Sequence, residues 1–413
     1  MAFGIVIAGG GQAGFQTAAS LRAEGYEGPI TLLGDEPHFP YQRPPLSKAF
    51  ILGKQNQSHV ILRPESYYRD RKIDFLPGEK AVSLETPERR LHLGSGASIR
   101  YDSLVLATGA RNRKLPVPGA DLDGVCYLRT LDEAIEIKQR LEQAERVAVI
   151  GGGFIGLEIA ASARTLGKEV TAVEALPRLM ARVVAPVVSE FFRAAHAGRG
   201  VDILLSAQVE KIQADGKIRQ IVLKDGRTVP ADLVVVGVGI EPNTELAAAA
   251  GFNAPNGISV NEFLHTEDRN IYAIGDCAEY PNPFAGSRVR LESVQNAVDQ
   301  AVCVARAITG KRAPYNAAPW FWSDQFDLRL QMAGLPLGHG EIAIRGNPES
   351  GKFSVFYFRD GRLCAVDSIN RPADHLAARK LITGAAVITP EQASDESVNL
   401  KSLAAGKHRS TPI

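Results

Sequence analysis

No CxxC or CxxxxC pair occurs in the sequence, and its four cysteines, Cys126, Cys277, Cys303 and Cys364, stand far apart. That absence excludes a disulfide scaffold and a zinc or iron-sulfur site on this chain, and it leaves buried thiols in a reducing, cytoplasmic setting as the expectation. No run of about 18 apolar residues exists, so no membrane span is expected. With strand-like sequence from Phe3, no signal peptide is expected. Neither sign of charge dominates: 47 Lys and Arg against 46 Asp and Glu give a net charge of +1, which argues against a general nucleic-acid binder. With 45% hydrophobic and 23% charged residues over 413 positions, the chain reads as a globular protein of about two to four domains.

What is present, twice, is a strand, a glycine turn, a helix and a second strand ending in acid. "FGIVIAGGGQAGFQTAASLRAEGYEGPITLLGDE" carries Gly9, Gly11 and Gly14 in GxGxxG spacing, a helix expected from about Gln12 to Glu24, and Asp35 beyond the second strand. "RVAVIGGGFIGLEIAASARTLGKEVTAVE" repeats it with Gly151, Gly153, Gly156 and Glu174. The glycines permit a tight turn, a close approach of pyrophosphate to the backbone, and packing of helix on strand; the acid accepts from ribose hydroxyls. One such turn is a weak signal, but two complete units imply two dinucleotides, most economically FAD and a nicotinamide cofactor. A carboxylate at Glu174 favours NADH over NADPH, since a 2'-phosphate there meets like charge; Arg178 and Arg182, a few residues on, temper that preference.

Further strands leading into glycine place the domain boundaries. "SLVLATGARNRKLPVPG", "ADLVVVGVGIEPNTEL" and "RNIYAIGDCAEY" give an FAD domain over 1–112 and 243–318, interrupted by an NAD domain over 113–242. The remainder, 319–413, reads as a C-terminal α+β domain of antiparallel strands with a hairpin at "RDGR" and one helix, followed by a polar, mobile tail after Pro390. Some 30 residues beyond the first turn, where disulfide- and peroxide-reducing flavoenzymes carry a redox cysteine, the chain has "FPYQRPPLSKAF" and no thiol.

In order, GGGQAG, RPPLSK, LATGA, GGGFIGLE, VGVGIEPN, AIGDCA and WFWSDQ make a sequence that resembles the FAD-dependent NADH:ferredoxin reductases of bacterial oxygenase systems, over nearly its whole length. The resemblance implies a glutathione-reductase-like α/β fold with two Rossmann-like dinucleotide-binding domains and a C-terminal α+β domain. It also implies electrons passing from NADH through FAD to an acidic [2Fe-2S] ferredoxin that serves a cytochrome P450 or a ring-hydroxylating oxygenase. By the same resemblance, Ala13, Arg43, Lys48, Val82, Arg129, Asp276 and Val294 join Gly9, Gly11, Gly14 and Asp35 as FAD contacts. Gly151, Gly153, Ile155, Gly156 and Glu174 are expected to hold the adenosine half of NADH, and Gly239 the nicotinamide half. Lys48 and Glu158 are expected to pair near the flavin, with Glu158 on the first helical turn, and Trp320 to lie near the flavin. The helix in "LESVQNAVDQAVCVARAITG" is expected to present its first turn, Glu292, Ser293 and Val294, to the flavin. Arg306, Lys311, Arg312, Arg345, Arg379 and Lys380 are candidates for a basic docking surface. Rubredoxin reductase and monodehydroascorbate reductase share the pattern and stay as alternatives, as does an NADH-sensing flavoprotein resembling apoptosis-inducing factor.

Overall fold

The computed structural model describes residues 3–384 and 386–406. They fall into two compact units. The first takes residues up to 42, 58–111 and 240–319; the second takes 43–57, 112–239 and those from 320 onward. The 43–57 stretch, which holds RPPLSK, thus belongs with the second unit, whereas the sequence reading left it in the first. The physical reason is local: Leu46–Phe50 winds as a π-helical turn, with the Phe50 N–H on the Pro45 carbonyl at 3.0 Å. That turn packs on the helices Leu131–Gln143 and Phe154–Thr165.

Within the first unit, five parallel strands run in the spatial order Ile271–Ala273, Ser103–Leu106, Ile5–Ala8, Ile30–Gly34, Ile73–Pro77. Ile5–Ala8 is apolar and buried at every position, as a strand covered on both faces must be. Its glycine turn feeds the helix Gln12–Ala23, which lies along the helix Val294–Ile308. The second unit repeats this plan with Val201–Leu204, Glu169–Val173, Arg146–Ile150, Leu233–Val236 and Val125–Tyr127, again all parallel. In each sheet the strand before the glycine turn sits centrally, with the next strand on one side and a later one on the other. The carboxyl end of that strand is therefore a topological switch point, where open α/β sheets bind ligands.

The second unit also holds a five-stranded antiparallel sheet, ordered Trp320–Gln325, Leu328–Gly334, Arg362–Ile369, Lys352–Arg359, Glu341–Asn347. The expected hairpin forms at Asp360 and Gly361, both at positive φ. One face of the sheet, with Leu328, Leu330, Phe353, Val355 and Tyr357, packs on Leu157, Leu179, Val188 and Phe192. The other covers Ala377, Ala378 and Leu381 of the helix Pro372–Thr383.

Two expectations are corrected here. The segment after Pro390 is not a structureless tail: Pro390–Ser394 and Leu400–Ala404 are helices, the first opened by a capping box between Thr389 and Gln392 that polar composition disguises. Residues 407–413 lie outside the described residues. Arg345 is not a docking candidate, because it is 5% exposed. Its guanidinium faces Asp374 at 3.6 Å and donates to the carbonyls of Ala393, Asp395, Glu396 and Val398, tying that segment to the sheet.

Two buried titratable groups in this sheet region give a pH signature. Asp367 accepts from the Tyr357 hydroxyl, which in turn accepts from the Ala185 N–H at 2.9 Å, and burial pushes its carboxyl up to about 7. Burial pulls His375 down to about 4. The raised carboxyl contributes stability that is complete below about pH 4 and fades as pH climbs to about 7; the depressed imidazole contributes stability that is complete above about pH 6.5 and fades as pH falls toward about 4. The two trends oppose each other across one window. Asp367→Asn should therefore uncover the imidazole limb, with melting temperature rising from about pH 4.5 to about pH 6.5 more steeply than in the wild type. Melts across that range check it, and parallel profiles would refute it.

Candidate functional site

In the first unit the glycine turn is shaped by backbone contacts that exclude side chains. A methyl on Gly9 would stand 2.0 Å from the Ala107 carbonyl oxygen, and one on Gly14 1.9 Å from that of Gly9. Gly11 differs: it caps the helix Gln12–Ala23 with no side-chain hydrogen bond, and nothing lies within 4 Å of where its methyl would be. Open space thus faces the unpaired amides and positive dipole end of the helix, the features that fit a pyrophosphate. Ala13, buried in the first turn, packs against Gly275, whose N–H donates to Gln300 Oε1 at 2.7 Å. Asp276 follows in a short 3-10 turn. Val294 is the first residue of the helix Val294–Ile308, capped by the Ser293 hydroxyl on the Asn296 N–H at 3.1 Å. Glu292 and Ser293 therefore precede the helix instead of lying in its first turn. Asp35 stands exposed just beyond the Ile30–Gly34 strand. Val82, 52% exposed, is the residue skipped where the ladder between Ala81–Glu85 and Arg90–Leu93 shifts register; such bulges re-aim the backbone.

The second turn repeats this architecture. Methyls on Gly151 and Gly156 would meet backbone oxygens at 2.3 and 2.1 Å, whereas Gly153, again an uncapped helix start, has nothing within 4 Å. Ile155 is 44% exposed in the first helical turn, and Gly239 at φ 108 has equally open space beside it. Glu174 holds the turn itself: its carboxylate accepts from the Gly152 N–H at 2.6 Å and the Leu176 N–H at 2.7 Å. Arg178 is spent on its own loop, on the Ala181 and Val184 carbonyls and the Ser189 hydroxyl, while Arg182 is exposed. Glu174→Arg should narrow the ratio of kcat/KM for NADH over NADPH by about tenfold or more, chiefly by weakening NADH, because it removes, along with the charge, the carboxylate that accepts from two backbone N–H groups. Steady-state kinetics with both nucleotides measure this, and an unchanged ratio would remove Glu174 from the role.

Glu158 lies on the second turn of the helix Phe154–Thr165, one turn later than expected, and is 3% exposed. Three donors converge on its carboxylate: Ser47 Oγ at 2.5 Å and Lys48 Nζ at 2.7 Å on Oε2, and Ser323 Oγ at 2.7 Å on Oε1. Ser162 Oγ fixes the π-helical turn by donating to the Ser47 carbonyl at 2.7 Å. The structure thus brings the predicted Lys48 and Glu158 together and adds Ser47 and Ser323, which the sequence reading missed. A signal for Ser323 existed: in "WFWSDQ" strand alternation puts Phe321, Ser323 and Gln325 on one face and Trp320 on the other. Phe321 accordingly meets Phe154, ring centroids 4.8 Å apart. Trp320 turns away, stacked on Trp322 and capped by the Arg379 guanidinium 4.8 Å from its ring. Arg43 and Arg129 also meet, Arg43 Nη1 donating to the Arg129 carbonyl at 2.5 Å while the Arg129 N–H donates to Glu133 at 2.6 Å.

No thiol takes part in any of this. Burial raises all four cysteines, Cys126 up to about 12, so none is poised as a thiolate. Among the described residues no group of His, Cys, Asp and Glu could hold a metal ion, and no helix is long and apolar enough to cross a membrane.

The chain is 50% identical over 408 residues to a rhodocoxin reductase of Rhodococcus erythropolis, covering 98% of this chain and 95% of that protein. It is 41% identical to a rubredoxin-NAD(+) reductase of Pseudomonas putida, covering 89% and 96%. The crystal structure of the ferredoxin reductase for the CYP199A2 system from Rhodopseudomonas palustris superposes with a TM-score of 0.95 at 49% identity, covering 97% of this chain and 99% of that one. Residues 320–404 match the reductase C-terminal family. Residues 3–301 match the pyridine nucleotide-disulphide oxidoreductase family, and the chain belongs to that family.

Proposed function

We propose that this chain is an NADH-dependent flavoprotein reductase that passes electrons through FAD to a [2Fe-2S] ferredoxin serving a cytochrome P450 or a ring-hydroxylating oxygenase. The observation that carries the reading is the Lys48–Glu158 ion pair, whose lysine lies in a segment, Tyr41 to Ser47 and onward, that holds no cysteine. A family member without a redox thiol has no internal sulfur to receive an electron pair. Bound FAD supplies the chemistry that links a hydride donor to a carrier accepting one electron at a time.

The chain's own residues bind and orient. The amides behind Gly11 hold the FAD pyrophosphate and those behind Gly153 that of NADH. Asp35 and Glu174 take the riboses, and Asp276, Val82, Ala13 and Val294 complete the FAD contacts. Arg43 and Arg129 offset negative charge. Ile155 and Gly239 border the nicotinamide nucleotide. Lys48 and Glu158 fix one charged group relative to the other, so that hydride transfer depends on positioning and not on a nucleophile. Trp320, stacked on Trp322 and capped by Arg379 on the sheet face opposite Ser323, is a shield on the electron path at that face.

The partner is proposed to be an acidic ferredoxin. Arg306 and Lys311 both pair with Glu24, and Arg345 is buried; the docking cation proposed is the exposed Lys380 on the helix Pro372–Thr383, since Arg379 lies over the Trp320 ring and Arg312 over the Phe263 ring. Support for a cytoplasmic setting comes from four free thiols. The test is anaerobic reduction by NADH followed by cytochrome c reduction with and without a [2Fe-2S] ferredoxin. A rate that depends on the ferredoxin and falls with ionic strength is expected. Because a rubredoxin reductase is among the relatives, a rubredoxin is the second carrier to assay; a faster rate with it would shift the reading to that alternative.

A further inference from the structure

A buried line of polar side chains runs behind the ion pair, and hydride transfer as proposed above does not account for it. Ser323 Oγ donates to Glu158 Oε1 at 2.7 Å, Gln325 Nε2 donates to Ser323 Oγ at 3.2 Å, and Gln325 Oε1 faces His196 Nε2 at 2.9 Å. Ser323, Gln325 and His196 are each 0% exposed. Since the amide nitrogen of Gln325 is committed to Ser323, its oxygen must accept, which puts the imidazole proton on His196 Nε2. Burial holds His196 below its ordinary value and therefore neutral, and its Nδ1 has no partner. Every donor in the line then points toward the Glu158 carboxylate, as do Ser47 and Lys48 from the other side.

Burying three such groups in an otherwise apolar interface is costly unless the line is complete, and a complete one is mutually polarised. Apolar residues would pack the strand Trp320–Gln325 on the helices Phe154–Thr165 and Pro186–Ala197 without that cost. We propose that Ser323, Gln325 and His196 form a positioning strut that holds the Glu158 carboxylate in place against Lys48, so that the reaction's charged pair is set from the C-terminal sheet. This rests on the proposed role of Lys48 and Glu158.

The experiment uses the FAD-loaded full chain and compares Glu158→Gln, Ser323→Ala, Ser323→Thr, Gln325→Leu and the Ser323→Ala/Glu158→Gln double variant. Three quantities are measured: the midpoint potential of the bound flavin, the rapid-reaction rate of its reduction by NADH, and the melting temperature. Glu158→Gln should move both potential and rate. Ser323→Ala should move the potential in the same direction by less and slow reduction by about tenfold, the equivalent of one hydrogen bond to a charged group. It should add nothing in the Glu158→Gln background, and Ser323→Thr, which keeps the hydroxyl, should restore both. Should Ser323→Ala fail to load FAD, Gln325→Leu carries the same comparison one bond further back. If Ser323→Ala and Gln325→Leu lower only the melting temperature while Glu158→Gln moves the potential and rate, the strut is overturned and the ion pair stands. If Glu158→Gln moves neither, the ion pair leaves the reaction and the strut goes with it.

Discussion

Gly153→Ala should give a folded, yellow protein that NADH reduces about 10²- to 10⁴-fold less efficiently. The expectation follows from what surrounds the glycines. At Gly151 and Gly156 an added methyl strikes a backbone oxygen at 2.3 and 2.1 Å, so substitution there reports on folding. At Gly153 the backbone is extended with φ −83, and the methyl enters space that is empty of protein. That space fronts the uncapped end of the helix, where the pyrophosphate is proposed to bind. Displacing two hydrogen bonds to a charged group, at about 1.5–3 kcal/mol each, gives the stated range. Gly11→Ala is the mirror experiment: the same open surroundings in the first unit, with loss of FAD as the expected result. Flavin absorbance after purification, circular dichroism and stopped-flow reduction separate the outcomes. A Gly153→Ala protein that loses FAD instead, or one reduced at the wild-type rate, would contradict the assignment of cofactors to turns.

Both turns were legible in the sequence because a glycine pattern, a strand and an acid lie within one short stretch, where local geometry follows from local sequence. The helix boundaries came within a residue or two for the same reason: Gln12–Ala23 and Phe154–Thr165 end just before Gly25 and Gly167. What the sequence hid depends on tertiary placement. Arg345 looks like any surface arginine until the strand that carries it is seen beneath the Thr389 capping box. Arg43–Gln57 changes units because a π-helical turn docks on two helices far along the chain. The strut behind Glu158 joins positions 158, 196, 323 and 325, which share no local motif; only the alternation inside WFWSDQ hinted that Ser323 and Gln325 face one way and Trp320 the other.

Lys48→Met should be more damaging than Glu158→Gln, even though both break the same pair. Lys48 is 20% exposed and Glu158 3%, so the lysine left alone can turn to water while the carboxylate left alone cannot. Removing Lys48 strands a buried charge on the hydroxyls of Ser47 and Ser323, at a cost of about 3 kcal/mol, the low end for a buried pair because one partner reaches solvent. Glu158→Gln keeps an acceptor for one of those hydroxyls and offers an amide N–H to the oxygen of the other, and should cost about 1 kcal/mol. Both should slow reduction by NADH by about 10²-fold, the penalty for misplaced reacting groups. The double variant Lys48→Met/Glu158→Gln separates stability from chemistry. With no uncompensated charge remaining, it should recover most of the stability lost in Lys48→Met while the reduction rate stays low. Urea unfolding and stopped-flow reduction on the four proteins provide the two readouts. Recovery of the rate together with the stability would mean that the pair serves the fold alone, and the positioning role would then have to be sought in the remaining contacts of the π-helical turn.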